Sequence, residues 1–410
     1  MILNYIWVAF FVIAFFVSLF KVIFLGETTL FPSLMNNLFD ISKSGFEIAL
    51  GLTGMLTFWL GIMKIGEKAG FIELLAKLIG PFFNKLFPEI PKNHPVIGQM
   101  MMNFSANILG LDNAATPLGL KAMQGLQELN IEKTTASNAQ IMFLVLNASG
   151  LTIIPISIIN FRQELGAVNP SDIFLPILIA TFCSSMIGLI VVGIYQKINF
   201  FDKVVLTYLL GAVLVIASIV YYFNQLPQNQ IGPISSQISN CFMFGLIVLF
   251  IAKAFINKIN VFDTFIEGAK EGFEVAVKII PYLVAMLVAI SVFRTSGALD
   301  YIVAGVGNFV HLLGFNTDFV GALPTAFMKP LSGGGARAMM LETMKTHGAD
   351  SFIGRLSCIF QGAADTTFFI VALYFGAVGI KNTRYAVGCS LIADLAGVIA
   401  GIFVAYLFFH

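Results

Sequence analysis

The sequence predicts an all-α polytopic membrane protein: about nine transmembrane helices plus two re-entrant helical hairpins, arranged in two inverted-topology repeats. Three observations lead there. Of 410 residues, 58% are hydrophobic and only 11% charged, less than half the charge density of an ordinary soluble chain. Nine stretches are long and apolar enough for a bilayer core of about 30 Å. Two further stretches place Gly, Pro and Asn at mid-length, where a lipid-facing helix cannot carry them.

The first span, about 2 to 25, has no basic n-region and no small-residue cleavage signal, so it reads as a retained helix and not a signal peptide. The others run approximately over 45 to 66, 137 to 160, 172 to 196, 204 to 223, 238 to 257, 272 to 293, 353 to 376 and 385 to 408. Pro155 and Pro281 mark expected kinks within two of them. Segments 69 to 87 and 297 to 313 are shorter and amphipathic, which suits helices at the membrane interface.

Residues 95 to 126 contain NILGLDNAATP, and 319 to 346 contain KPLSGGGAR. Unpaired backbone groups at mid-depth cost several kcal/mol unless protein or a wet cavity satisfies them. Each segment therefore reads as a re-entrant hairpin, with an aqueous loop between short helices as the plainer alternative. A cytoplasmic N-terminus then puts Lys64, Lys68, Lys77, Lys85, Lys92, Lys133, Lys197, Lys203, Lys258, Lys270, Lys381 and Arg384 inside. Lys43, Arg162 and Arg294 stay outside, with His410, and the positive-inside rule is obeyed.

SGFEIALGL from Ser44 resembles EGFEVAVKI from Glu271, each read as the start of a span followed by an amphipathic piece, a hairpin and two more spans. LVLNASGLTIIPISI likewise matches CIFQGAADTTFFIVA in polarity pattern. Five crossings separate the repeat starts if the hairpins do not cross, and an odd number inverts the second copy. Inverted repeats with broken helices near the midplane are the mark of secondary transporters.

The first half, with NFSANILGLDNAATPLGLKAMQ and NAQIMFLVLNASGLTIIP, resembles spore maturation protein A. The second, with LPTAFMKPLSGGGARAMMLE and IFQGAADTTFFIVALYFGAVG, resembles spore maturation protein B. The chain thus resembles a fusion of the two, 1 to 198 and 199 to 410, joined near Lys197 to Lys203, with repeats at about 44 to 197 and 271 to 408. Both halves resemble the nucleoside recognition or Gate group, which is similar to the core of concentrative nucleoside transporters. The resemblance implies a nucleoside-like substrate and a link to spore physiology.

Five ionisable residues fall at expected membrane depth: Asp112, Lys329, Arg337, Glu342 and Asp365. Leaving one unpaired in lipid costs on the order of 3 kcal/mol. Asn103, Ser105, Asn107, Asp112, Asn113 and Thr116 line the first hairpin, either as ligands or as caps of its arms. Lys329, Ser332, Gly333, Gly334, Gly335 and Arg337 form the second tip. Three glycines before a helix N-terminus, flanked by two cations, suit a phosphate or carboxylate, unless the cations pair internally with Asp365 or Asp112. Gln361, Asp365, Thr366 and Thr367 repeat the placement of Asn147, Ser149 and Thr152, each set expected on one helix face. Glu47 and Glu274, shared by both repeats, read as caps or interface residues.

Several function classes are excluded or disfavoured. A net charge of +1 gives no basic surface for nucleic acid. No Walker loop, catalytic triad or metal set is present, and Cys183, Cys241, Cys358 and Cys389 have no framework spacing, so neither an enzyme nor a cofactor is expected. The expectation is a permease of the bacterial cytoplasmic membrane for a small polar or anionic solute, with cation coupling at Asp112 or Asp365, its partners being the bilayer, the solute or a lipid head group, and further copies in a homo-oligomer. Translocation of a lipid-linked envelope precursor, or a non-transporting scaffold, are the alternatives.

Overall fold

The structure, a computed structural model, describes residues 2–91, 94–110 and 112–410. Lys92 and the side chains of Asp112 and Asn113, all singled out in the sequence, lie outside the described residues. The described residues are helical, with one isolated bridge, Thr135 to Asn382, and no strand. In chain order the helices are α1 (Ile2–Phe20), α2 (Leu30–Lys68), α3 (Phe71–Leu86), α4 (Pro95–Ile108), α5 (Asp112–Leu129), α6 (Asn138–Ser149), α7 (Ile156–Glu164), α8 (Phe174–Tyr195) and α9 (Lys203–Asn224). They continue as α10 (Gln228–Ile256), α11 (Val261–Thr295), α12 (Ala298–Leu312), α13 (Leu323–Met328), α14 (Gly333–His347), α15 (Phe352–Gly362), α16 (Thr367–Ala377) and α17 (Ala386–Phe409). Among the described residues eight helical segments are long and apolar enough to cross a membrane, and the chain is an all-α polytopic membrane protein.

Two spans differ from the sequence expectation in an informative way. The segment expected at 137 to 160 is not one helix: α6 stops at Ser149, Gly150 adopts φ +43°, and the chain runs without helix to α7. The segment at 353 to 376 is interrupted in the same place in its repeat, between Gly362 and Thr367. Pro155 falls in the first break, so it bounds α7 and does not kink a span, whereas Pro281 lies inside the continuous α11. The repeat signatures at Ser44 and Glu271 sit inside α2 and α11, not at span starts, because both helices extend more than a turn N-terminally.

The chain divides into two compact units. One holds residues 1–60, 157–170 and 269–361; the other holds 61–156, 171–268 and 362–410. Each unit therefore takes one hairpin and half of each broken helix. The second unit contains the first hairpin (α4 and α5), α6 and α16; the first unit contains the second hairpin (α13 and α14), α7 and α15.

In the second unit α8 and α17 pack closely, as small residues permit in a membrane where burial of apolar surface alone does not drive association. A Cβ on Gly188 would lie 3.1 Å from the Ala393 Cβ, and one on Gly397 would lie 3.2 Å from the Ala363 carbonyl and the Ser184 Cβ. Around this seam Met100, Met123, Ile141, Phe143 and Phe375 form a buried core. In the first unit Trp7 Nε1 donates to the Ala285 carbonyl (3.0 Å), and Ser291 Oγ donates to Asn37 Oδ1 (3.0 Å), tying α1, α2 and α11. Glu47 and Glu274 are exposed and pair with Lys43 and Lys278 on their own helices, in keeping with a surface role.

Candidate functional site

The second unit assembles an uncharged polar ladder from three elements. Ser137 starts α6 with a reciprocal cap: its Oγ accepts from Gln140 N (3.2 Å) while its own N–H donates to Gln140 Oε1 (2.9 Å). That fixes α6, and three turns on it carries Asn147 into the core, where Nδ2 donates to Phe143 O (2.9 Å). Asn107, at the end of α4, donates to Asn147 Oδ1 (2.8 Å), and the Tyr374 hydroxyl of α16 donates to the same oxygen (3.4 Å). Asn103, one turn earlier on α4, donates to the Ala115 carbonyl of α5 (2.8 Å) and to the Tyr374 oxygen (3.4 Å). Each such bond contributes roughly 1 kcal/mol net.

The ladder is not fully satisfied. Asn103 Oδ1 and Ser105 Oγ are buried with no partner among the described residues. Buried polar atoms are nearly always bonded, which singles out these two beside a hydrogen-bonded ladder.

Both breaks meet this ladder. Ile153 N donates to the Ile108 carbonyl (3.0 Å), tying the first break to the hairpin tip. Asp365 N donates to the Ala148 carbonyl (2.8 Å), tying the second break to the end of α6. Gly110 and Gly150 make these approaches possible: a Cβ on Gly110 (φ +72°) would sit 2.9 Å from the Ile154 carbonyl, and one on Gly150 would sit 3.3 Å from Asp365 N. Asp365 itself is exposed, and its Oδ1 accepts from Thr366 N (2.7 Å). Thr366 is buried as the N-cap of α16, without a side-chain cap bond.

The expectation that each polar set lies on one helix face is corrected. Thr152 lies in the first break, donating to Gly150 O (3.3 Å), and Asp365 lies in the second, beyond the end of α15 that carries Gln361. Ser149 is buried at the last position of α6, its hydroxyl on Leu146 O (3.2 Å). Gln361 is buried, with Oε1 unpartnered among the described residues.

The first unit gathers charge instead. Ser332 caps α14, accepting from Gly335 N (3.0 Å). The guanidinium of Arg337 stands 5.6 Å from the Phe161 ring centroid, and Glu342 pairs with Arg294 at 3.6 Å. Lys329 is buried and engaged. The glycines divide: a Cβ on Gly335 would strike Met328 and lie 3.1 Å from Met286, whereas one on Gly334 would meet open space. At Gly335, then, the missing Cβ serves packing.

Three important residues escaped the sequence reading. Arg162, placed there on an outer face, is fully buried and donates to Ala349 O (2.6 Å), Pro170 O (3.2 Å), Asn169 O (3.4 Å) and Asp350 Oδ1 (3.0 Å). Its position at the end of an apparent span disguised it. Asp394 is buried in α17 and was legible as that span's one charge; Thr367 Oγ1 donates to it at 2.7 Å. Tyr374 had no signal beyond being an aromatic in an apolar run. Among the described residues no group of His, Cys, Asp and Glu has metal-binding geometry.

Comparison with known proteins now adds to this geometry. A family model described as Gate, nucleoside recognition, matches residues 49–165 and 276–381. The match is double, and each copy contains one hairpin and one broken helix. Spore maturation protein A of Bacillus subtilis (strain 168) is 42% identical over 157 residues, 38% of this chain and 80% of that protein. Spore maturation protein B of the same organism is 46% identical over 154 residues, again 38% of this chain and 85% of that protein. The pair fits a fusion of an A-like and a B-like half. No solved structure matches the chain. With more than half its length matched in two copies, the chain belongs to the Gate nucleoside-recognition family and is a multi-pass membrane relative of spore maturation proteins A and B.

Proposed function

We propose that the protein is a secondary transporter for a small polar solute, nucleoside-like in its hydrogen-bonding groups, with the solute site in the second unit. The observation that carries this reading is the pair of helix breaks. Broken helices free backbone donors and acceptors at membrane depth, and such breaks are tolerated only beside protein or a wet cavity. Here both breaks flank one ladder, with Asn103, Asn107, Asn147 and Tyr374 offering amides and a hydroxyl, and Asp365 an accessible carboxylate. A nucleoside presents base and ribose edges of matching donor and acceptor character.

The site in this reading is neutral apart from Asp365, which favours an uncharged or cationic solute over an anionic one. The protein sits in the bacterial cytoplasmic membrane with its N-terminus inside, acts as a homo-oligomer and performs no catalysis. A panel of nucleosides added to purified protein tests it: a ligand that raises the melting temperature of wild type but not of Asn147→Ala supports the site, since only binding to the folded state stabilises it. A panel without any such ligand, together with absent flux in proteoliposomes, sinks the reading.

A second reading, passage of a lipid-linked envelope precursor, is favoured by one feature of the first unit. An apolar groove of about 280 Å³, lined by Phe10 and Ile13 of α1, Ile302 of α12 and Phe327 and Met328 of α13, runs to the residue before Lys329. An acyl chain fits such walls, and the hairpin cation would meet a head-group phosphate. Flipping of a fluorescent phospholipid or polyprenyl phosphate by the reconstituted protein, abolished by Lys329→Ala, is the outcome that would favour it over solute transport.

A further inference from the structure

Helix α17 runs for 24 residues with a single ionisable acid, Asp394, set nine residues from its start. That carboxylate is 5% exposed. It accepts from the Thr367 hydroxyl at 2.7 Å, and Thr367 is the first residue of α16, so Asp394 faces the N-terminal end of a half-helix. The break just before that end is held from two sides. Asp365 N binds the Ala148 carbonyl, and the Ala363 carbonyl lies against Gly397, three residues after Asp394 on α17. One turn before Asp394 the Ser390 hydroxyl is buried with no partner among the described residues, and Ser184 of α8 donates to the Ala393 carbonyl (2.9 Å). A carboxylate is thus buried at the hinge point of the second break, among hydroxyls.

We infer that Asp394 is a proton-binding site, the position at which proton occupancy sets the conformation of the break between α15 and α16. A charged group at this depth is expensive unless its environment answers it. Part of that answer is the Thr367 hydroxyl together with the positive end of the short helix that Thr367 begins. A proton taken from water onto either carboxylate oxygen removes that charge. On Oδ2 it turns the Thr367 hydroxyl from donor into acceptor and frees the start of α16 from its anionic partner. The two protonation states therefore favour different arrangements of one element, which is what coupling by population shift requires.

The neighbours do not offer a competing acid. The helices that pack on α17 are α8, α6, α16, α10 and α9, and none of them carries Asp or Glu. Their titratable groups are Cys183 and Tyr195 on α8, Tyr374 on α16, Cys241 and Lys253 on α10, and Lys203, Tyr208, Tyr221 and Tyr222 on α9; α17 adds Cys389 and Tyr406. The two lysines lie at helix ends. Asp365, in the break two residues before Thr367, is the nearest acid along the chain, and it is exposed.

Use of the proton to drive solute movement rests on the transporter reading; proton binding itself does not. The test is pH-induced difference infrared spectroscopy of the full chain reconstituted in lipid, with solute flux measured on the same samples. The expected result is a protonated-carboxyl C=O band that titrates in wild type, persists in Asp365→Asn and is lost in Asp394→Asn. Thr367→Val, which keeps the carboxylate and removes its hydroxyl, shifts the midpoint of that band and guards against Asp394→Asn failing to fold. A band unchanged by both Asp394→Asn and Thr367→Val overturns the inference, as does a folded wild type without a titrating carboxyl. Absent flux with the Asp394 band intact sinks only the transporter reading; flux without that band sinks only the proton site.

Discussion

The two hairpins occupy corresponding places in two copies of one family domain, yet they are finished with opposite chemistry. The first is bound to its unit by neutral amides: Asn103 and Asn107 reach Tyr374 and Asn147. The second is set among charges: Arg337 over Phe161, Glu342 against Arg294, and the buried Arg162 with Asp350 at the loop that follows it. The loops repeat the contrast. After the first hairpin, the Thr134 carbonyl takes the N–H groups of Lys381 (2.9 Å) and Asn382 (3.0 Å), and Ala136 N returns to Asn382 O (3.0 Å). After the second, a guanidinium collects three carbonyls and a carboxylate. Duplication preserved where the backbone must be held and left free how it is held. An amide ladder can exchange partners with a neutral solute at little cost, whereas a buried ion pair cannot open cheaply. On the proposed function, that difference assigns recognition to the second unit and a holding role, that of a joint, to the charged loop of the first.

The largest effect expected follows from that joint. Arg162→Ala leaves three carbonyls without their donor and Asp350 with Arg355 (3.5 Å) as its remaining cation, and each buried acceptor left unsatisfied costs about 1 to 3 kcal/mol. Thermal unfolding in detergent should show Arg162→Ala among the least stable of single variants. A melting temperature near that of wild type would mean that the cluster is not a joint, and the contrast between units would lose its structural half.

Next comes the ladder. Asn147→Ala removes the acceptor shared by Asn107 and Tyr374 and should cost roughly 1 to 3 kcal/mol, since each donor left buried carries its desolvation penalty. Solute binding is expected to fall further than stability does, which a thermal shift with and without ligand separates.

Glycines give a sharper and smaller test. Gly110→Ala forces a Cβ against the Ile154 carbonyl at positive φ and should destabilise by about 1 to 3 kcal/mol. Gly334→Ala enters open space in the first turn of α14 and should be neutral or stabilising by up to about 1 kcal/mol. Equal effects at both tips would erase the distinction drawn between them.

The smallest effect lies outside the membrane, where Lys85 hydrogen-bonds Asp202 at 2.7 Å and holds that carboxyl below its ordinary value. A depressed folded-state value stabilises the protein above the unfolded value of about 4 and loses that contribution as pH falls through the folded one. Lys85→Ala should flatten this acid-side dependence of melting temperature, with little change at neutral pH because the pair is exposed.

Much of the architecture was legible because bilayer physics is strict. Most long apolar runs had to be spans, and NILGLDNAATP and KPLSGGGAR could not be lipid-facing helix. The breaks at 150–155 and 363–366 were harder to read. Asn147, Gly150 and Pro155 in one copy and Gln361, Gly362 and Asp365 in the other carry polarity that continuous helix also tolerates, so the interruption depends on the tertiary bonds Ile153 to Ile108 and Asp365 to Ala148. Arg162 shows a related limit: a basic residue at the end of an apolar run counts toward one membrane face, but its place alone does not tell that four protein acceptors stand in for water around it. Asp394 is legible as the lone charge of α17, whereas Asp365 stands beside more polar residues and is the exposed one of the two.

The central claim is that solute recognition belongs to the neutral ladder at the two breaks and not to the cationic hairpin. Flux of a nucleoside panel into proteoliposomes, compared between Asn147→Ala and Arg337→Ala, tests it most directly. The account predicts that a transported nucleoside is found, that Asn147→Ala abolishes its uptake and that Arg337→Ala retains it; uptake that survives Asn147→Ala but is lost in Arg337→Ala would contradict it.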